Sequence, residues 1–417
     1  MKHSDGTRPA ASKPMLLPVK FALACLVAGV LSASAQSVVS SVPAPSAPPA
    51  SLQPLAGDEG LTNQAIAPLQ WGPIAGRPHL VYRLSRGDGI QPRPGQSTET
   101  TISTLSAGLL MEIGQRWTAD YTPTWTVYSN DAFTNTLEHA LRINGRASFT
   151  DGSLTLGQSY NLSDTPRIET GRQTREESVS TSLGVIYSLS RKTRINGSVS
   201  RSMRYLENAP NSEEWSVQSF YHYQFTSRLD VGVGVAWGYT KVDPGIDMSS
   251  LSPSVRIGWR PTPKLSFSAN ASAEQRQFKQ AGSKDLNSVP YGVSAFYQPF
   301  QYTTLSVSGN RGVSVSYFAG QVTENTGWTV GLNQRLLQRL NLNVSSSRSQ
   351  SEYITAGGPT NAILREDSSD SFNIRLSTGF LRRGTVGVFY QYTRNDSDVD
   401  VYNFSSKQVG VEISYSY

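Results

Sequence analysis

From residue 78 to residue 417, apolar side chains recur at every second position in one segment after another. Residues 407–417 show the pattern without a fault. Val409, Val411, Ile413, Tyr415 and Tyr417 share one face, and Gln408, Gly410, Glu412, Ser414 and Ser416 share the other. A period of two predicts a strand. The same reading places Val179, Leu183, Val185, Tyr187 and Leu189 on one face, then Trp215, Val217, Tyr221, Tyr223 and Phe225, then Leu229, Val231, Val233, Val235, Trp237 and Tyr239. The opposite faces are small and polar, as in Ser178, Ser180, Ser182 and Gly184, or Ser266, Ser268, Asn270 and Ser272.

Between these segments, tight turns alternate with longer polar stretches. Short turns are expected at 114–116, 150–153, 190–192, 226–228, 260–263, 298–300, 337–339 and 381–384, where Asp-Gly, Pro and small polar residues suit a hairpin. Longer loops are expected at 163–177, 276–287 and 351–370. The eight turns join sixteen strands, the carboxy-terminal strand adds one, and His79 to Leu84 supplies a first. The expectation is about 18 strands. If His79 to Leu84 lies across the base instead, the number is 16.

Alternating strands of this kind, with an aromatic carboxy-terminus and short turns on one side only, resemble the bacterial outer-membrane β-barrels. The resemblance covers residues 78–417 at the level of architecture and includes no motif of a characterised family. It implies an all-β chain: a single closed antiparallel transmembrane β-barrel with lipid outside and water inside. It also implies that Val411, Ile413, Tyr415 and Tyr417 are the assembly signal read by the barrel-assembly machinery. The barrel form accounts for a hydrophobic content of only 37%, because half of each strand faces water.

The amino-terminal region agrees with export. Lys2, Arg8, Lys13 and Lys20 precede an apolar run at 21–31, and Ala33-Ser34-Ala35 follows. This predicts a signal peptide at 1–35 cleaved before Gln36. The run is shorter than the roughly 20 residues a membrane helix needs. Cys25, the single cysteine, lies inside it, so disulfide or thiol chemistry is not expected after cleavage. Residues 36–77 are rich in Pro, Ala and Ser and read as a periplasmic linker.

Charge adds little. Of a net charge of +6, the leader holds four bases and one acid, leaving +3 for residues 36–417. That excess does not call for a nucleic-acid partner. By parity, Arg83, Arg142, Arg146, Arg194, Arg204, Arg256, Arg335 and Arg375 face inward, as do the acids Glu112, Asp120, Glu274 and Glu412. An arginine-rich lining predicts a mild preference for anions; the alternative is a cross-strand network that stiffens the wall. Arg83 and Glu412 are expected to be neighbours where the last strand meets the first.

No catalytic role is expected. The histidines after the leader are His79, His139 and His222, and no family motif pairs one with a nucleophile. Gly232, Gly234 and Gly238 alternate with outward valines, unlike a nucleotide fingerprint, and read as small lumen residues. Neither a Cys/His metal cluster nor a cofactor is expected. Two functions remain open: a porin-like channel for small hydrophilic solutes, or a barrel serving exopolysaccharide export or a structural role without an open pore.

Overall fold

The computed structural model describes residues 68–417. The expected signal peptide at 1–35, and residues 36–67 of the expected linker, lie outside the described residues. A short lead-in strand, Leu69–Trp71, folds back on the start of the first long strand. Then follow β1 (Ile74–Arg93), β2 (Gln96–Ile113), β3 (Trp117–Tyr128), β4 (Thr136–Phe149), β5 (Gly152–Arg167) and β6 (Arg172–Ser188). The middle third is β7 (Thr193–Leu206), β8 (Asn211–Thr226), β9 (Leu229–Asp243), β10 (Met248–Thr262), β11 (Leu265–Ser272, resumed at Glu274–Phe278) and β12 (Leu286–Ser288, resumed at Tyr291–Phe300). The last third is β13 (Thr303–Val315), β14 (Gln321–Leu336), β15 (Leu340–Thr355), β16 (Ile363–Phe380), β17 (Gly384–Ser397) and β18 (Phe404–Ser416).

Among the described residues these eighteen strands form one antiparallel sheet in which each pairs with its sequence neighbours. β18 pairs with β17 on one side and with β1 on the other. The sheet therefore closes on itself and leaves no unpaired edge, which is the condition for strands to survive in hydrocarbon.

The first strand is longer than the alternation of 79–84 suggested, because β1 starts at Ile74, before Pro78. The boundary expected at residue 78 therefore falls inside the sheet. Two of the three expected long loops, 163–177 and 351–370, are also mostly strand, while 279–285 stay outside the strands. Residues 163–167 pair with 172–176, and residues 351–354 pair with 363–367. These stretches rise beyond the apolar band, where both faces are polar, so no period of two marks them. What remains of the loops there is short: 168–171 and 356–362.

The outward faces carry the apolar side chains. Val233 is 54% exposed in the isolated chain, and Val235, Trp237, Leu251, Val255 and Ile257 stand exposed beside it, while Gly232 is buried. A continuous apolar outer surface of this kind marks contact with lipid. Two buried apolar clusters lie at the loop end. Val242, Met248, Phe278, Leu286, Val322, Ile354 and Ala356 form one buried cluster there. Ile90, Tyr128 and Phe133 form another.

Candidate functional site

The candidate site is the barrel interior and the loops that lean over it. A cavity of about 370 Å³ lies along the wall on either side of the β18–β1 seam. Arg83, Arg142, Asp120, Glu138 and Glu412 line it, with Gln391, Gln408 and several threonines of β2 and β3. Ile168 and Ile90 enter it from the loop end. Eighteen strands are wide enough to leave an aqueous channel, and these polar groups suit one.

Most of the interior arginines are engaged with neighbours across the sheet. Arg375 reaches Glu412 at 2.6 Å. Arg194 reaches Asp230 at 3.0 Å, and His222 Nδ1 lies 2.9 Å from the same carboxylate oxygen. The Arg83 guanidinium lies over the Phe389 ring, 3.7 Å from its centroid, and that of Arg256 lies 4.4 Å from the centroid of Phe220. Arg142 stands opposite Asp120 in register. Arg335 lies over Tyr302. Arg146 is exposed near the turn end. Glu112 lies 3.6 Å from Arg77, a cation that the parity count left out. Glu274 pairs with Arg276 at 2.7 Å, and both are largely buried. Of the carboxy-terminal residues, Val411, Ile413 and Tyr415 are exposed on the outer face, and Arg383 stacks over the Tyr417 ring.

Arg204 does something different. It donates to the Val315 carbonyl at 2.9 Å and lies over the Tyr317 ring. Val315 ends β13 and Tyr317 follows it, six strands along the sheet from Arg204 on β7. Neighbouring strands are spaced about 4.8 Å apart, so such contacts require the tips to fold inward over the lumen. The tip between β5 and β6 does so. Glu169 there accepts hydrogen bonds from the Ser316 hydroxyl at 2.7 Å and the Tyr317 amide at 2.8 Å. The Tyr317 hydroxyl donates to Glu176 at 2.6 Å, and Arg365 of β16 donates to the Glu169 carbonyl at 3.1 Å. Arg365 is itself buried between the rings of Tyr353 and Tyr402 and bonded to Asp367. Together these residues form a roof across the loop end of the barrel.

Electrostatics at the roof are those of a buried carboxyl group. Burial pushes the Glu169 carboxyl above its ordinary range, against the lowering effect of its two hydrogen-bond donors and of Arg204 and Arg365. Burial likewise pushes the Tyr317 hydroxyl up.

The sequence reading missed the roof because 163–177 and 351–370 carry no alternation. It also missed Phe220 and Phe389. Both rings face the interior, where a polar lining was expected, and only the cross-strand register shows what they support.

No known family pattern matches the sequence, and no curated protein matches it. Several solved structures are similar in backbone. Acinetobacter baumannii OccAB3 aligns with 82% of this chain and 99% of its own, at 10% identity and a TM-score of 0.42. The outer membrane protein opdK of Pseudomonas aeruginosa aligns with 82% of this chain and 98% of its own, at 11% identity and a TM-score of 0.42. Pseudomonas aeruginosa OpdL aligns with 83% of this chain and 99% of its own, at 12% identity and a TM-score of 0.46. At these values the likeness assigns no function.

Proposed function

We propose that the chain is an outer-membrane channel through which small hydrophilic solutes diffuse passively along a polar, arginine-containing lumen. One observation carries this reading: a closed sheet of eighteen strands with mostly apolar side chains on its outer face and mostly polar ones within. Such a body is stable only with lipid around it, and a ring of this size encloses water. The expected location is the outer membrane of a Gram-negative cell, reached through a cleaved signal peptide and the barrel-assembly machinery. The test is ion conductance of the purified protein in a planar bilayer. A stable open conductance supports the channel, and its absence rejects passive diffusion.

A second reading has its own support. The roof built on Glu169, Ser316, Tyr317 and Arg365 crosses the loop end. A barrel kept closed by that roof fits exopolysaccharide export or a structural role. The discriminating result is a barrel that stays closed until the roof contacts are removed.

A further inference from the structure

Two sets of lumen residues repeat one arrangement, half a turn apart. In the first, Phe389 of β17 lies directly opposite Gly410 of β18. Arg83 of β1 stacks on that ring. Glu412, two residues beyond Gly410, binds Arg375 of β16. In the second, Phe220 of β8 lies directly opposite Gly234 of β9. Arg256 of β10 stacks on that ring. Asp230, on β9 four residues from Gly234 rather than two, binds Arg194 of β7 and also lies 2.9 Å from His222 Nδ1. Each member of the first set has its counterpart nine strands on, which is half of the eighteen.

The correspondence extends to detail. Gly410 faces Ser85 on the next strand, and Gly234 faces Ser254. The stacked arginine is two residues nearer the turn end than that serine in both cases. Each glycine is needed where it stands. A Cβ on Gly410 would come within 2.6 Å of Phe389 Cζ, and one on Gly234 within 2.5 Å of Phe220 Cδ1. The rings lie across the glycines, flat against the wall. They are 5% and 6% exposed.

We infer that these are two equivalent anion stations on opposite walls of the lumen, with Phe389 and Phe220 as the positioning residues of Arg83 and Arg256. A guanidinium stacked on a ring face is attracted by the ring quadrupole and keeps its N–H edges free to donate. The nearby carboxylate is bonded to the other arginine, Arg375 or Arg194, and one carboxylate can offset only one of the two cations. Each station therefore holds two guanidinium groups and one carboxylate. Facing each other, the two excess positive charges raise the potential in the water between them. The ligand is a small inorganic anion, with chloride as the probe.

This rests on the channel reading above, and the experiment separates the two. Full-length protein is placed in a planar bilayer under a potassium chloride gradient and its reversal potential measured. Wild type should favour chloride. Arg83→Gln and Arg256→Gln should each move the reversal potential toward cation preference by similar amounts, and the double variant by about their sum. Phe389→Leu and Phe220→Leu keep every charge and an apolar filler but remove the ring, and should also shift the reversal potential. Reversal potentials unchanged in the arginine variants would overturn the stations. Wild-type behaviour of the leucine variants would overturn the positioning role. If wild type does not conduct, the channel reading fails by itself. The stations are then tested by thermal unfolding in potassium chloride against potassium gluconate. Stabilisation by chloride, present in wild type and lost in the double variant, supports them; equal melting in both salts rejects them.

Discussion

Arg83 and Glu412 stand directly opposite each other where the last strand meets the first. The expected neighbourhood is there, but the ion pair is not. Glu412 gives its carboxylate to Arg375, two strands away, and Arg83 turns onto Phe389. Glu412 thus sits between two guanidinium groups at the join that closes the barrel. Glu412→Gln keeps the shape and removes the charge that offsets both cations. It should lower stability by about 1–3 kcal/mol, measured by urea unfolding in lipid. No change would show that the carboxylate is solvated and without a role at the seam.

The outer face makes a separate prediction. Val233→Arg places a charge on the lipid side and should destabilise the folded barrel by about 2–4 kcal/mol if it lies near the bilayer midplane. Ala236, on the other face of the same strand, should accept serine within about 0.5 kcal/mol. Equal costs at the two positions would refute the assignment of faces.

The roof should respond to pH through Glu169. Its carboxyl is held above the ordinary value of 4.5 in the closed arrangement. A carboxyl with a raised folded value binds its proton more tightly when the roof is closed. That contribution is fully present below the ordinary value and is lost as pH rises through the raised one. Single-channel recordings should therefore show longer closed periods in acid than at neutral pH. Glu169→Gln keeps an acceptor for Ser316 and Tyr317 but has no proton to lose, and should remove the pH dependence. A pH response that survives the substitution would place the titrating group elsewhere.

Gly410→Ala tests the seat of the ring. The added carbon would meet the Leu84 carbonyl at 2.3 Å as well as Phe389. The backbone oxygen cannot swing aside as a side chain can, so the substitution should cost about 1–3 kcal/mol, read as a lower urea midpoint. A variant as stable as wild type would show that the two strands can separate freely there.

Much of the barrel could be read from residues because its governing constraint has a period of two. Val233 and Trp237 must meet lipid, and Gly232 and Gly234, which alternate with the outward side chains, must not. Most of the tight turns could be read for a related reason, since a short hairpin demands particular residue types; the one expected at 298–300 falls at 301–302, because β12 runs on through Phe300. Legibility ended where lipid ended. Above the apolar band Arg365, Asp367 and Tyr353 lie in strands whose two faces are both polar, so they looked like loop, and their burial under the roof depends on a partner tip many strands away. Phe389 and Phe220 were hidden differently. Nothing local distinguishes an inward phenylalanine from an irregularity, and the glycine that receives it lies on another strand at a register that only pairing reveals.

The nine-strand separation of the two arginine–phenylalanine sets bears on their origin. Nine is odd, so β1 and β10 run in opposite directions, and so do β17 and β8. A tandem copy of a nine-strand half would set every counterpart upside down, its turn-side neighbours becoming loop-side ones. In the observed sets the up-and-down order is preserved while the chain direction is reversed: Arg83 precedes Ser85 in sequence, but Arg256 follows Ser254. Gene duplication of a half-barrel does not produce that reversal. The two sets are related by their place around the lumen, at matching levels on opposite walls, and not by a repeat of the chain.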